Sequence, residues 1–228
     1  MSGKPRLYYI KESPPCHTVI AVARLLAIDL ELIDVAETYQ SKQYAKINPF
    51  NRVPTFVDTD GFRLFESRAI AMYLVQSRGP PDSALYPSGD LKQRAEIDQY
   101  LHFELGTLYR GLSDVIDPFW KSGEIDRSRK PSLEKALQWL DALLATNNRP
   151  FIAPGPRLSL ADLSAYFYLR ILAAFTSELD SSVYRAVAAW QRTVAEELKP
   201  ITADGFFEEA LDSLKEYCAQ MRQGVREF

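Results

Sequence analysis

Apolar and polar positions follow two patterns along the chain: strand and helix signals alternate up to residue 78, and only helix signals follow residue 90. Four short runs in the first part have strand character, at residues 7–10, 30–35, 53–57 and 62–65. A helix opened by Pro14 and Pro15 continues through 19–26, and a second helix begins at 67 with Ser67 as its N-cap.

The order of these elements indicates a small α/β domain. A helix separates the first two strands, which predicts a parallel pair joined by a crossover connection. Residues 58–61, Asp-Thr-Asp-Gly, have the composition of a tight turn and predict a hairpin between the last two strands. The resulting order, β-α-β-α-β-β-α, is typical of a thioredoxin-like domain.

The remainder of the chain predicts an all-helical domain. Residues 78–90 are dense in turn-forming residues. Apolar residues then recur at spacings of three and four over 91–119, 133–145, 159–175, 183–198 and 206–221. Ser159 and Asp162 have the spacing of a capping box at a helix start. We therefore predict a thioredoxin-like domain at 1–80, a linker at 81–90 and a helical-bundle domain at 91–228.

Composition narrows the classes of function. The chain is 46% hydrophobic and 25% charged, as ordinary globular proteins are, and its formal net charge of −3 argues against a nucleic-acid surface. No apolar run reaches the roughly 18 residues that span a bilayer, and the N-terminus lacks a signal-peptide core. Two cysteines and two histidines are too few for a disulfide framework or a metal cluster. We expect a cytoplasmic, metal-free protein.

Residues 13–16, Ser-Pro-Pro-Cys, place a hydroxyl at the start of the first helix. The helix dipole and free amides around Cys16 and His17 would favour an anion near Ser13. Ser13 lacks a positioned base, since His17 lies four residues along the same helix, so a serine hydrolase is not favoured. The spacing matches a redox Cys-x-x-Cys motif whose attacking cysteine is replaced by serine, and Cys16 is expected to be a packed thiol.

Two further segments offer backbone and side-chain groups to a ligand. Pro54 stands at the opening of a strand, where either a cis Val53–Pro54 bond or an edge strand with a trans proline would accommodate it. A cis bond would leave the Val53 backbone groups free for an extended ligand. Ser67 and the helix start could bind a carboxylate, and Glu66 an ammonium group, although these residues taken alone favour an ordinary N-cap beside a solvated acid. Arg68 adds a cation.

Together these segments resemble the cytosolic glutathione S-transferases, most closely the insect delta and epsilon classes. The resemblance extends over nearly the whole chain and depends on the order and spacing of motifs that are each weak alone. The motifs are residues 13–16, 47–49 (Ile-Asn-Pro), 53–54 (Val-Pro), 65–70 (Phe-Glu-Ser-Arg-Ala-Ile), 85–87 (Leu-Tyr-Pro), 103–109 (Phe-Glu-Leu-Gly-Thr-Leu-Tyr) and 158–162 (Leu-Ser-Leu-Ala-Asp).

The resemblance implies that the first domain binds glutathione and that the helical domain completes a hydrophobic substrate site. Ser13 matches the family's catalytic serine, which donates a hydrogen bond to the glutathione sulfur. Val53 matches the residue whose backbone pairs with the cysteinyl part, just before the family's cis-proline, here Pro54. The residues that match the γ-glutamyl-binding group are Glu66, Ser67 and Arg68.

The chain departs from the delta pattern where the glycyl carboxylate is bound. Residues 50–52, which usually read Gln-His-Thr, are Phe-Asn-Arg here, and Tyr39 aligns with the second histidine of that site. Asn51, Arg52 and Tyr39 still donate hydrogen bonds, and Arg52 or Lys42 supplies charge. His17 stands where the family commonly has arginine, and the pattern assigns it no role.

The electrophile site is predicted on the helix after the linker. A stripe of apolar residues at positions 105, 109, 112, 116 and 119 is in itself typical of a buried helix face. The resemblance assigns some of them to a pocket wall. These are Tyr109, Leu112 and Phe119, and the resemblance adds Pro15 from the first helix and Phe206 near the C-terminus.

The leading hypothesis is a homodimeric transferase that conjugates the glutathione thiolate to apolar electrophiles, with Ser13 stabilising the thiolate. A non-catalytic ligand-binding protein of the same fold is one alternative, and a glutathione-dependent isomerase or peroxidase is another. Glutathione is expected as co-substrate, with no metal, no nucleic-acid partner and no membrane span.

Overall fold

The computed structural model describes residues 3–146, 149–175 and 183–223, which divide into two units between Gly89 and Asp90. Residues 79–90 form neither helix nor strand. Within the described residues, no helix combines the length and the apolar character that crossing a bilayer requires.

The first unit is built around a mixed four-stranded sheet. Its elements in chain order are β1 (Arg6–Tyr9), α1 (Pro14–Leu25), β2 (Glu31–Asp34), β3 (Thr55–Val57), β4 (Arg63–Phe65) and α2 (Ser67–Arg78). The strand order is β2-β1-β3-β4, with β2 parallel to β1 and the other pairs antiparallel. The predicted crossover and hairpin are therefore confirmed, as is the thioredoxin-like sheet.

One predicted element of this unit is wrong. The order anticipated a full helix between the second and third strands, whereas residues 44–46 form a single 3-10 turn, Tyr44–Lys46. The polar sequence on either side has no amphipathic repeat long enough to bury a helix face, and isolated short helices are unstable in water.

The core of the first unit lies between the sheet and its two helices. Leu7 and Phe56 are fully buried on the sheet, α1 packs against α2, and Ile20, Ile70 and Leu74 are buried on these two helices. Burying a side chain of this size contributes about 1.5–3 kcal/mol. β3 lies between β1 and β4 and is buried at every position. It therefore fixes the register of these two strands, and with it the positions of the segments that follow them.

A buried carboxylate fixes the hairpin to the end of α2. Asp58 is 6% exposed and accepts hydrogen bonds from Tyr73 Oη (2.6 Å) and Arg78 Nη2 (2.5 Å). The Arg78 guanidinium also lies 5.7 Å from the centre of the Tyr73 ring. These contacts, the Arg78 hydrogen bond foremost, lower the pKa of Asp58 from 3.8 to about 2.

This lowered pKa predicts an acid-sensitive contribution to stability. A carboxylate with a lowered folded-state pKa stabilises the fold fully above its unfolded pKa, and the contribution is lost as pH falls towards the folded value. Asp58→Asn should therefore reduce the free energy of unfolding relative to wild type most at pH 6, and the difference should shrink by about 2 kcal/mol by pH 2. Urea unfolding at both pH values measures it. Asp60→Asn in the same hairpin, at an exposed position, is the control; a pH-independent Asp58→Asn difference would contradict the assignment.

The second unit is helical. Its segments are α3 (Leu91–Phe103), a π-helical segment (Glu104–Tyr109), α4 (Arg110–Ile116), α5 (Phe119–Ser122), a 3-10 turn (Arg127–Arg129), α6 (Lys130–Ala145), α7 (Leu160–Arg170), α8 (Leu172–Phe175), α9 (Arg185–Thr202) and α10 (Phe206–Arg222). Asp90 begins α3 by accepting hydrogen bonds from the amides of Lys92 and Gln93. The described helices agree with the predicted all-helical character.

The helix predicted over 91–119 is interrupted. Its register changes in the π-helical segment, and α4 ends before Pro118, which lacks the N–H needed to continue a helix. The predicted helix over 159–175 is divided near Ile171, and the first residues of the helix predicted over 183–198 lie outside α9. The apolar repeat located these helices, but it does not resolve such local changes in hydrogen bonding.

The capping box of α7 is confirmed and is part of a larger buried group. Asp162 is fully buried and accepts hydrogen bonds from the Ser159 amide (3.0 Å) and hydroxyl (2.6 Å), the Ile152 amide (2.7 Å) and Trp190 Nε1 (2.8 Å). A residue that begins a helix thus also holds the preceding loop and a side chain of α9.

Candidate active site

The sheet brings the ligand-binding segments predicted in the first unit to one of its ends. Thr55, the first residue of β3, pairs with Tyr8 near the end of β1 and with Phe65 at the end of β4. Ser13 follows β1, Val53 and Pro54 precede β3, and Glu66 follows β4 directly. Because antiparallel neighbours run in opposite directions, these segments all emerge at the same end of the sheet.

In the turn that carries Ser13 the backbone amides are bonded within the protein, and the remaining donor is the Ser13 hydroxyl, which is paired with Cys16. Pro14 and Pro15 occupy the first helical positions, as predicted, and have no N–H. The amides of Cys16 and His17 both donate to the Ser13 carbonyl, at 3.0 and 3.1 Å, so the expectation that these amides are free is wrong. The Ser13 N–H donates to the Ile10 carbonyl at 3.1 Å. An anion at this helix start would therefore depend on the Ser13 hydroxyl and the helix dipole.

The cysteine of the motif is a buried thiol. Cys16 is fully buried, and burial raises its pKa to about 12, while the smaller effect of a hydrogen bond with Ser13 acts in the opposite direction. A thiol with so high a pKa is protonated at neutral pH and is a poor nucleophile. The expectation of a packed cysteine is confirmed.

His17 stabilises the loop in front of Ser13. Its ring is 3% exposed, and Nε2 donates a hydrogen bond to the Lys11 carbonyl at 2.6 Å. The imidazole therefore links the first turn of α1 to the loop that follows β1. Sequence reasoning assigned His17 no role, because a side chain that returns to the backbone six residues earlier leaves no periodic signal.

The Val53–Pro54 bond is cis, which settles the alternative left open by the sequence. Val53 precedes the ladder of β3, and its side chain packs on the cluster of Tyr8, Val35, Tyr44 and Val57. Among the described residues, none accepts a hydrogen bond from the Val53 N–H. A backbone donor at the end of the sheet is therefore available to an extended ligand.

The residues aligned with the family's histidines lie on either side of Val53. Tyr39 packs on the same cluster, and its hydroxyl accepts a hydrogen bond from Gln40 Nε2 at 2.8 Å. Arg52 is exposed. Asn51 has a φ of 50°, and its Oδ1 is buried without a hydrogen-bond partner among the described residues. An uncompensated amide oxygen is costly in a folded protein, which makes Asn51 a candidate acceptor for a ligand N–H.

Glu66 connects β4 to α2 without an intervening loop. Its φ of 71° is uncommon outside glycine, and such conformations concentrate at functional sites. Ser67 is the first residue of α2 and is 3% exposed, so it is not the N-cap; the cap position belongs to Glu66. The reason is that β4 passes directly into α2, so that Ser67 is already the first helical residue. A cap at Ser67 would have placed the first helical residue at position 68. Arg68 is partly buried one residue further on.

The apolar residues assigned to the electrophile site differ in exposure. Leu112 and Phe119 are each 1% exposed, whereas Pro15 is partly exposed. Tyr109, in the π-helical segment, is partly exposed with its ring 4.7 Å from that of Tyr168. Phe206, the first residue of α10, is also partly exposed and lies edge-on to Phe207 at 5.3 Å.

Comparison with known proteins decides the family. Residues 7–82 match the model of the glutathione S-transferase N-terminal domain. Glutathione S-transferase D7 of Anopheles gambiae is 36% identical over 199 residues, which cover 86% of this chain and 88% of that protein. The chain belongs to the glutathione S-transferase family. The family predicted from the motifs is thereby confirmed.

Solved structures agree with this assignment. A Bombyx mori glutathione transferase superposes with a TM-score of 0.84 at 35% identity, covering 94% of this chain and 98% of that one. A delta-class glutathione transferase of Nilaparvata lugens gives a TM-score of 0.84 at 33% identity, covering 95% and 99%. The glutathione S-transferase fold and the similarity to insect delta-class proteins are therefore both shown.

Proposed function

We propose that this glutathione S-transferase conjugates the glutathione thiolate to apolar electrophiles, with Ser13 as the donor that stabilises the thiolate. The observation that supports the proposal is the helix start: every N–H from residue 13 to 17 is absent or bonded to the protein, so the Ser13 hydroxyl, which is paired with Cys16 in this structure, is the donor that would turn to a bound anion. A hydrogen bond to the charged form of an acid favours ionisation, so a bound thiol would lose its proton more readily.

The other groups at this end of the sheet suit a γ-glutamyl tripeptide. The Val53 N–H would bind the cysteinyl backbone. Glu66, Ser67 and Arg68 would bind the γ-glutamyl ammonium and carboxylate through an ion pair and donors at the start of α2. Tyr39, Asn51 and Arg52 would bind the glycyl end, with Arg52 supplying the positive charge in place of histidine.

The reaction follows from the chemistry of a thiolate. The sulfur attacks an electrophilic carbon, a C–S bond forms, and either a leaving group departs with its electron pair or a conjugated double bond is saturated with a proton from water. The thiol proton leaves to solvent when glutathione ionises. We propose that Pro15, Tyr109, Leu112, Phe119 and Phe206 supply the apolar side chains of the electrophile site.

We also propose that the enzyme acts as a cytoplasmic homodimer. The composition and the N-terminal sequence support the location, the leading hypothesis includes the homodimer, and glutathione is the co-substrate.

A conjugation assay at saturating glutathione tests the proposal. Thioether formation with an activated aryl halide or an α,β-unsaturated carbonyl should exceed the spontaneous rate at least about 10²-fold, the range that one well-placed catalytic group supplies. Binding of an apolar fluorescent dye is measured in parallel. No rate with either class, together with retained dye binding, would overturn the transferase proposal in favour of a ligand-binding protein; a hydroperoxide substrate tests peroxidase chemistry.

A further inference from the structure

Three buried side chains converge on the backbone carbonyl of Arg52, immediately before Val53. Thr55 Oγ1 donates to it at 3.0 Å, Tyr44 Oη approaches at 2.9 Å and Asn48 Nδ2 at 3.1 Å. Thr55 Oγ1 also lies 2.9 Å from both Tyr44 Oη and Asn48 Nδ2. The three side chains are 1%, 3% and 0% exposed, respectively.

The hydrogen-bond donors and acceptors of this cluster pair in one consistent arrangement. Thr55 has one hydroxyl proton, which it donates to the Arg52 carbonyl, and two acceptor sites, which receive Tyr44 Oη–H and one Asn48 N–H. The second Asn48 N–H takes the other lone pair of the Arg52 carbonyl. The Asn48 amide is oriented in turn, because its Oδ1 accepts from the Phe50 N–H at 3.0 Å. Thr55 is therefore the centre of the network.

The network fixes the direction of the next N–H. Residues 52 and 53 share one planar peptide, which is trans, since the cis bond described here is the one between Val53 and Pro54. In a trans peptide the C=O and N–H point in opposite directions. A carbonyl held in the buried cluster therefore directs the Val53 N–H away from it, where none of the described residues accepts a hydrogen bond.

We propose that Tyr44, Asn48 and Thr55 are positioning residues that orient the 52–53 peptide and thereby set the affinity for the backbone of glutathione. The inference rests on the proposed function. The three side chains touch neither the thiol nor the electrophile in this scheme, so they act on binding and leave the conjugation step unchanged. Losing the network frees the peptide to rotate and weakens one ligand hydrogen bond.

Thr55→Val tests the proposal, because it removes the hydroxyl with little change of shape. We expect the KM for glutathione to rise about fivefold to tenfold, the equivalent of one hydrogen bond, with kcat changed less than twofold. Thr55→Ser keeps the hydroxyl and should restore the wild-type KM within twofold. Thr18→Val is the matched control, since Thr18 is equally buried in this unit and its hydroxyl contacts the Pro14 carbonyl at 3.4 Å.

Amide NMR separates this inference from the proposed function. In wild type, the Val53 N–H resonance should shift on adding glutathione, and in Thr55→Val the shift should appear only at higher glutathione concentration. A wild-type protein that shows no shift and no conjugation refutes the proposed function. Suppose that the wild-type Val53 resonance does shift with glutathione. The positioning role is then refuted if Thr55→Val and Thr18→Val have the same KM for glutathione. It is also refuted if kcat of Thr55→Val falls in parallel with its free energy of unfolding. If Thr55→Val does not fold, Tyr44→Phe, which deletes one hydroxyl, must raise KM at constant kcat.

Discussion

Ser13→Ala should lower the conjugation turnover about 10- to 30-fold at pH 7, because without a donor to the bound anion the thiol reverts towards its ordinary pKa near 8.5 and only about 3% of it is ionised at this pH. The hydroxyl is the donor left at this helix start, so its loss leaves the helix dipole alone to favour the thiolate. Retention on immobilised glutathione should change little, since the remaining contacts involve other residues.

The pH dependence of this variant distinguishes thiolate stabilisation from a packing effect. Without the hydrogen bond, the pKa of the bound thiol should rise towards the ordinary value near 8.5. The deficit in kcat should therefore be largest at low pH and shrink as pH rises through the thiol pKa. Steady-state rates between pH 6 and 9.5 measure this, together with thiolate absorbance of the bound tripeptide.

Cys16→Ala is the matched control for Ser13→Ala. Cys16 lies in the same turn, and its raised pKa makes it inert, so turnover should stay within about twofold of wild type. Unchanged turnover in Ser13→Ala would remove the serine from its assigned role. A constant deficit at all pH values would indicate that the alanine disturbs the turn instead of the thiol.

Short-range patterns predicted much of the first unit. Two prolines after Ser13 located the start of α1, and the Asp-Thr-Asp-Gly turn located the hairpin, because in both places the local backbone preference agrees with the fold. The same patterns failed at Ser67. A serine before an apolar helix is usually a cap, but the backbone of Glu66 turns from strand to helix in one residue, and nothing in the sequence reveals a positive φ at a glutamate.

The parts that could not be predicted depend on contacts between distant residues or on backbone hydrogen bonds. His17 reaches back to Lys11, and Thr55 joins Tyr44 from eleven residues away; neither distance corresponds to a helical or strand period. The π-helical segment through Tyr109 shifts hydrogen bonds by one residue while keeping the apolar stripe. Motif order identified the family, whereas the positioning of its groups required the fold.

Asp162→Ala should produce the largest loss of stability. The carboxylate is fully buried and accepts from four donors, of which the Ile152 amide, the Ser159 amide and Trp190 Nε1 cannot turn to water. Each buried donor left unsatisfied costs about 1–3 kcal/mol, so a loss of at least about 3 kcal/mol is expected, against a total of about 5–15 for a typical domain. Urea unfolding followed by tryptophan fluorescence measures it, with Trp190 as a direct reporter.

Two further substitutions provide reference values for the loss of stability expected in Asp162→Ala. In Asp162→Asn, the side-chain oxygen can keep the Ile152 and Trp190 bonds made by Oδ1, while the new amide faces the Ser159 N–H that Oδ2 accepted, so the loss should be about half that of alanine. Asp90 is an exposed helix cap that accepts hydrogen bonds from two backbone amides. Asp90→Ala should lower the free energy of unfolding by only about 1 kcal/mol, because water can bind the two amides in place of the carboxylate. Equal losses for Asp162→Ala and Asp90→Ala would contradict the buried network as the cause. The expected order arises from burial, since the same carboxylate chemistry acts at both helix starts.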